Sequence, residues 1–231
     1  MSYLITSARV LDGTGREPFL GAVRVEGNRI TQVTPGAAAP APDGATVING
    51  AGATLMPGLI ESHAHIGLAD LGSLDLTRLP VEEHMLITVR NARTMLDCGY
   101  TSAFSAAAPK PRLDVVLKRE IEAGRVPGPR LLANGPEITV TGGLGDSNLL
   151  HLPHYETPTF AWVADGPDAI RRVCRLLARE GVGGTDKLLA SLKQLVPNLR
   201  QALILPGCGH WTQQERPADV NAAVLEFLRV L

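Results

Sequence analysis

His63 and His65 stand two residues apart in the run Leu59-Ile60-Glu61-Ser62-His63-Ala64-His65, and on an extended strand that spacing puts both imidazoles on one face. Two imidazoles on one face can share a divalent ion such as zinc and leave positions open for water. The spacing alone is more often that of two surface or loop histidines, so the surrounding elements have to decide. Four more histidines are dispersed along the chain. His84 lies in a helical stretch and reads as structural or exposed. His151 and His154 flank Leu152-Pro153 in a long polar loop, where they either touch a substrate or are solvated. His210 sits in a Gly-Cys-Gly-His loop near the C-terminus.

The elements that would hold the His63/His65 pair begin after Pro57-Gly58. Strand and helix patterns alternate from there, which is the mark of βα units and a parallel sheet. Leu59 to His65 is the first strand. Val81 to Asp97 carries Met85, Val89, Ala92 and Leu96 at helical spacing and stops at Gly99. Tyr100 to Ser105 is the second strand, Leu113 to Ala123 a helix ending at Gly124, and Arg130 to Asn134 the third strand. Asp165-Gly166-Pro167 opens a helix with Ile170, Val173, Cys174 and Leu177 as its inner face and Gly181 as its stop. Thr185 to Ser191 is the fourth strand. Ahead of these units, Tyr3 to Asn49 shows short apolar runs broken by turns. A hairpin is expected across Glu26-Gly27-Asn28, between Ala22 to Val25 and Arg29 to Val33. Pro35 to Pro42 reads as a surface loop.

Composition narrows the chemistry. With 231 residues and 45% hydrophobic content the chain can bury a core, and a net charge of -1 gives no field for nucleic acid or an anionic membrane. A small-molecule substrate is the expectation. Three cysteines, Cys98, Cys174 and Cys208, are too few and too dispersed for a disulfide framework, and each reads as core filling. The start, Met1 to Gly15, lacks the pattern of a secretory signal, and no stretch reaches the roughly 18 apolar residues of a membrane span. A cytoplasmic protein is expected.

The context of the histidines resembles a known family. Met56-Pro57-Gly58-Leu59-Ile60-Glu61-Ser62-His63-Ala64-His65 is similar to the signature of the amidohydrolase superfamily. The run Ala123 to Arg130, followed by Ile138-Thr139-Val140-Thr141-Gly142-Gly143, resembles its imidazolonepropionase and prolidase-like branch. The resemblance covers about residues 1–191. It implies an α/β fold in which a small β-sandwich portion (1–57) precedes a TIM-type (β/α) barrel. It also implies hydrolysis of C–N bonds, amide or cyclic amide, through a metal-bound hydroxide, with zinc as the expected ion. Lys187 falls where that family places a lysine near the end of strand four that is often carboxylated and bridges two ions, so the implied metal ligands are His63, His65 and Lys187. An isolated lysine beside Asp186 is otherwise a solvated charge.

The departures matter too. Leu144 stands where that branch generally has a histidine. A complete barrel takes about 250 residues, and residues 58–191 hold four units, so a half barrel is expected. Two further histidines and an aspartate that the family takes from later strands have no counterpart, which leaves the site incomplete.

The tail has a different resemblance. Leu195-Val196-Pro197-Asn198-Leu199, the run Leu205 to Pro217 with Gly209-His210-Trp211, and an expected helix to Leu231 resemble the end of an α/β-hydrolase of the epoxide hydrolase group. Residues 192–231 are expected to form this short α/β tail. His210 matches that group's general base, and no Gly-x-Asp or Gly-x-Ser elbow stands upstream. Three readings follow: an amidohydrolase-like enzyme, an epoxide hydrolase-like one, or an inactive fusion of two truncated hydrolases. Open strand edges in a half barrel favour self-association, so a homo-oligomer is expected.

Overall fold

Ser2–Val10 alternates inward and outward residues and forms β1, with Leu4, Ala8 and Val10 buried. Here a computed structural model describes residues 1–36, 41, 44–146, 160–182, 203, 205 and 212–229. These fall into two compact units, Met1–Pro57 with Leu203–Leu231, and Gly58–Ala202.

In the first unit β1 is flanked by β2 (Phe19–Glu26), and β2 by β3 (Arg29–Pro35), both pairings antiparallel. Glu26 pairs with Arg29 across the hairpin, and Gly27 takes φ +60 at the first central position of the turn, which a side chain would resist. On the other side of β1, β4 (Thr46–Asn49) and β5 (Thr54–Leu55) run parallel to it. Among the described residues this is one mixed sheet, with Ala8, Val10 and Val23 packed against Ile5, Phe19, Val25 and Leu55. Two helices, α5 (Thr212–Glu215) and α6 (Pro217–Leu228), belong to the same unit and are labelled after the four helices of the second.

The second unit is α/β. Three parallel strands, β6 (Leu59–Ala64), β7 (Tyr100–Ser105) and β8 (Arg130–Leu132), lie in that order. After β6 come α1 (Ser73–Arg78) and α2 (Val81–Asp97), and α3 (Leu113–Glu122) links β7 to β8. Ala64, Ile66, Ala92, Ala103, Leu117 and Leu131 form the core between strands and helices. Full burial of leucines such as Leu113 and Leu117 contributes about 1.5–3 kcal/mol each. Gly58 lets β6 lie against β7, because a Cβ at that position would come within 2.6 Å of the Thr101 Cβ. Beyond β8, β9 (Ile138–Thr139) pairs with β10 (Trp162–Val163), and α4 (Gly166–Glu180) follows, ended by Gly181 at φ +97. Sequence patterning did not resolve α1, β9 or β10, which are too short to show a period.

Three expectations are corrected. The inner face of α2 carries His84 and Thr88 beside the expected Ala92, while the other expected residues, Met85, Val89 and Leu96, are half-buried like Met95. Polar side chains can take that face because their polar atoms are satisfied inside: the Thr88 hydroxyl donates to the His84 carbonyl at 2.8 Å. On α4 only Leu177 is buried, and Val173 is packed beside it. The stripe is one i, i+4 line wide, so Ile170 and Cys174 point out. Cys98 and Cys174 are exposed thiols, not core filling; Cys208 lies outside the described residues.

Candidate metal centre

β6 carries the histidine pair to its C-terminal end. His63 and His65 are exposed while Ala64 and Ile66 between and after them are buried, so the alternation puts both imidazoles on the face away from the helices. Their ring centroids are 5.0 Å apart and the rings are nearly perpendicular, at 79°. Two imidazoles bound to one tetrahedral ion at about 2.0–2.1 Å hold their centroids about 5 Å apart, so the separation of this pair matches that of two rings on one ion. The Glu61 carboxylate accepts the backbone N–H of His63 at 2.9 Å and holds the strand ahead of the pair. A groove of about 380 Å³ opens at this end of β6, lined from both faces of the strand, by Glu61, His63 and His65 and by Ala64 and Ile66, together with Asn91 and Met95 of α2.

Among the described residues, no group of three or more His, Cys, Asp or Glu side chains is placed to hold a metal ion. Lys187, the third ligand implied by resemblance, lies outside the described residues, as do His151, His154 and His210. Leu144 is 72% exposed, in a glycine-rich loop. Two carboxylates brace that loop. Asp165 accepts from the Thr141 hydroxyl at 2.5 Å and its N–H at 2.9 Å, which holds its carboxyl below the usual range, and Asp146 accepts from the Gly142 N–H at 2.8 Å.

The loops at the ends of the three parallel strands are tied by Asp114 and Asn134, to which the sequence reading gave no role, and by His84, which it read as structural or exposed. Asp114, fully buried in the first turn of α3, accepts the N–H groups of Asn134 and Gly135 after β8 at 2.8 and 2.9 Å. Asn134 donates in turn to the Ala106 carbonyl after β7 at 3.0 Å. Near β6, His84 is fully buried with Nε2 2.6 Å from the Gly67 carbonyl and Nδ1 3.0 Å from Lys110 Nζ. Lys110 also donates to the Leu76 carbonyl at 2.6 Å. His84, expected to be structural or exposed, is the former, and the helical spacing of His84, Thr88 and Asn91 is the signal in the sequence that could have marked them as one face.

Burial holds the His84 pKa below its ordinary value, and the Lys110 charge acts in the same direction against the Gly67 hydrogen bond. Burial also lowers Lys110. In the unfolded chain His84 takes up a proton as pH falls through about 6.5, and in the folded chain only at lower pH. Between the two values the unfolded state binds more protons, so the neutral-histidine contribution to stability is present above about pH 6.5 and is lost progressively below it. Urea midpoints should therefore fall between about pH 7.5 and 5.5, and less so in His84→Gln. An equal fall in that variant would assign the effect to other groups.

No family model and no curated protein matches the chain, but solved structures do. A prolidase complexed with N-methylphosphonate-L-proline matches at 28% identity and a TM-score of 0.65, over 79% of this chain and 45% of that one. An amidohydrolase matches at 26% identity and TM-score 0.66, over 79% and 45%. A Xaa-Pro dipeptidase with bound methionine in its active site shares the fold at 21% identity and TM-score 0.63, over 80% of this chain and 46% of that one. The chain thus spans less than half the length of these structures. They lend no support to the epoxide hydrolase-like reading of the tail, which is set aside. In sequence and in fold, the structural neighbours of this chain are amidohydrolase-family proteins.

Proposed function

We propose that this chain carries the first part of a TIM-type barrel and the first metal ligands of an amidohydrolase-like hydrolase that cleaves C–N amide bonds, with Xaa-Pro dipeptides as the substrate class to try first. The observation that carries the reading is the His63/His65 pair, exposed on one face at the C-terminal end of a parallel strand with its rings 5.0 Å apart. Barrel enzymes place their chemistry at that end of the strands. The prolidase and the amidohydrolase to which the chain is similar supply the bond class.

In this reading His63 and His65 offer neutral imidazole nitrogens to a divalent ion, zinc being the expected one, and Lys187 is the third ligand. Bound there, the ion would supply Lewis-acid polarisation of a carbonyl and lower the pKa of water towards neutrality. Glu61 accepts the His63 N–H where the pairing of β6 with β7 shifts register, between Glu61 and Ala64, and so braces the backbone ahead of the pair. Asp114 and Asn134 hold the ends of the two neighbouring strands, β7 and β8. A homo-oligomer is part of the proposal, since Leu59 and Ile60 of β6 are 41% and 47% exposed.

The test is release of free proline from Xaa-Pro dipeptides by the chain supplied with Zn²⁺ or Mn²⁺ at neutral pH. Metal-dependent release that a chelator stops is the expected result. No release from any dipeptide or N-acyl amino acid, by a chain shown to hold the metal, would overturn the hydrolytic reading.

A further inference from the structure

The turn that follows His65 is held by one face of α2. Leu68 N–H donates to the His65 carbonyl at 2.9 Å and closes the turn. The next three carbonyls each meet a side chain of α2. Asn91 Nδ2 donates to Ile66 at 2.9 Å and to Leu68 at 2.7 Å, and His84 Nε2 meets Gly67 at 2.6 Å. His84 and Asn91 are two helical turns apart and so share a face. Both amide hydrogens of Asn91 are used.

His84 in turn is oriented from behind. Lys110 has only hydrogens to offer, so it donates to Nδ1, and the ring hydrogen must sit on Nε2, aimed at Gly67. The turn has no slack on its other side, because a Cβ on Gly67 would lie 2.8 Å from Pro109 Cδ. Asn91 also lines the groove that contains His63 and His65.

We infer that Asn91 and His84 are positioning residues for His65: by fixing three consecutive carbonyls they set the backbone from which the His65 imidazole reaches the shared ion. This role rests on the metal reading proposed above. Partners of this kind, one step behind a ligand, alter metal affinity by about 10–100-fold when removed.

The experiment titrates the full metal-free chain with Co²⁺, reading both the dissociation constant and the visible absorption bands, which report ligand geometry. The unfolding midpoint is measured alongside. Asn91→Ala leaves the two carbonyls at the groove, where water can reach them, and it should fold yet bind Co²⁺ about 10–100-fold more weakly with shifted bands. His84→Gln keeps an N–H near the Nε2 position and should bind like the unaltered chain, while His84→Leu should not. Folded Asn91→Ala and His84→Leu chains with unchanged affinity and spectrum would overturn the positioning role, whatever their midpoints. An unaltered chain that takes up no Co²⁺ would instead overturn the metal reading, and this role with it. The two failures are distinguished by the unaltered chain alone.

Discussion

With His63 and His65 both replaced by alanine, metal content is expected to drop from near one divalent ion per chain to a trace, while the chain stays folded. The argument rests on exposure. Neither imidazole is part of the buried clusters, so the metal-free double variant should keep the fold. Their loss removes both nitrogens whose rings stand 5.0 Å apart, and no third His, Cys, Asp or Glu is grouped with them among the described residues to compensate. Elemental analysis after dialysis reads the result directly. Thermal unfolding gives a second reading: zinc at a hundred times its dissociation constant stabilises a folded binder by about 2.7 kcal/mol, and the double variant should gain nothing. Equal zinc content in both proteins would place the ion elsewhere and remove the support for the proposed hydrolysis.

Asp114→Ala should be the most destabilising single change among the residues that shape the site. Asp114 is fully buried, and Oδ2 accepts two backbone N–H groups, from Asn134 at 2.8 Å and Gly135 at 2.9 Å. Alanine leaves both donors unpaired, at about 1–3 kcal/mol each, so a loss of about 2–6 kcal/mol is expected in urea unfolding. The effect should extend to β7, because Asn134 donates to the Ala106 carbonyl and Ala108 N–H donates to the Gly135 carbonyl at 2.8 Å. Asp114→Asn retains an accepting oxygen in place and should lose less than the alanine variant. Its other carboxylate oxygen, Oδ1, is buried without a hydrogen bond among the described residues, so the amide group of asparagine gains no partner there. Equal losses in the two variants would show that side-chain volume, rather than the two backbone hydrogen bonds, is what Asp114 contributes.

The parallel strands and their helices were legible because each carries a local signal. Pro80 precedes α2 and Gly99 follows it, Pro167 opens α4 and Gly181 closes it in the left-handed conformation. The hairpin at Gly27 was legible for the same reason. Interior faces were less so. Period counting selected Met85, Val89, Ala92 and Leu96 on α2, of which Ala92 is fully buried, but it left out the buried His84 and Thr88, since a polar residue faces inward once another part of the chain satisfies it. Cys174 was assigned to an inner face that turned out to be only as wide as Val173 and Leu177.

By itself the sequence determined the candidate chemistry: a histidine pair two residues apart on a strand must share a face, because side chains alternate along any strand. It also determined the α/β alternation, because proline, glycine and apolar period act over a few residues. Tertiary structure alone decided what holds that pair in place. Asn91 lies 25 residues from Ile66, and Lys110 lies 26 residues from His84. Hydrogen bonds across such separations depend on how α2 and the loop after β7 pack beside β6, and no local pattern of residues encodes that packing.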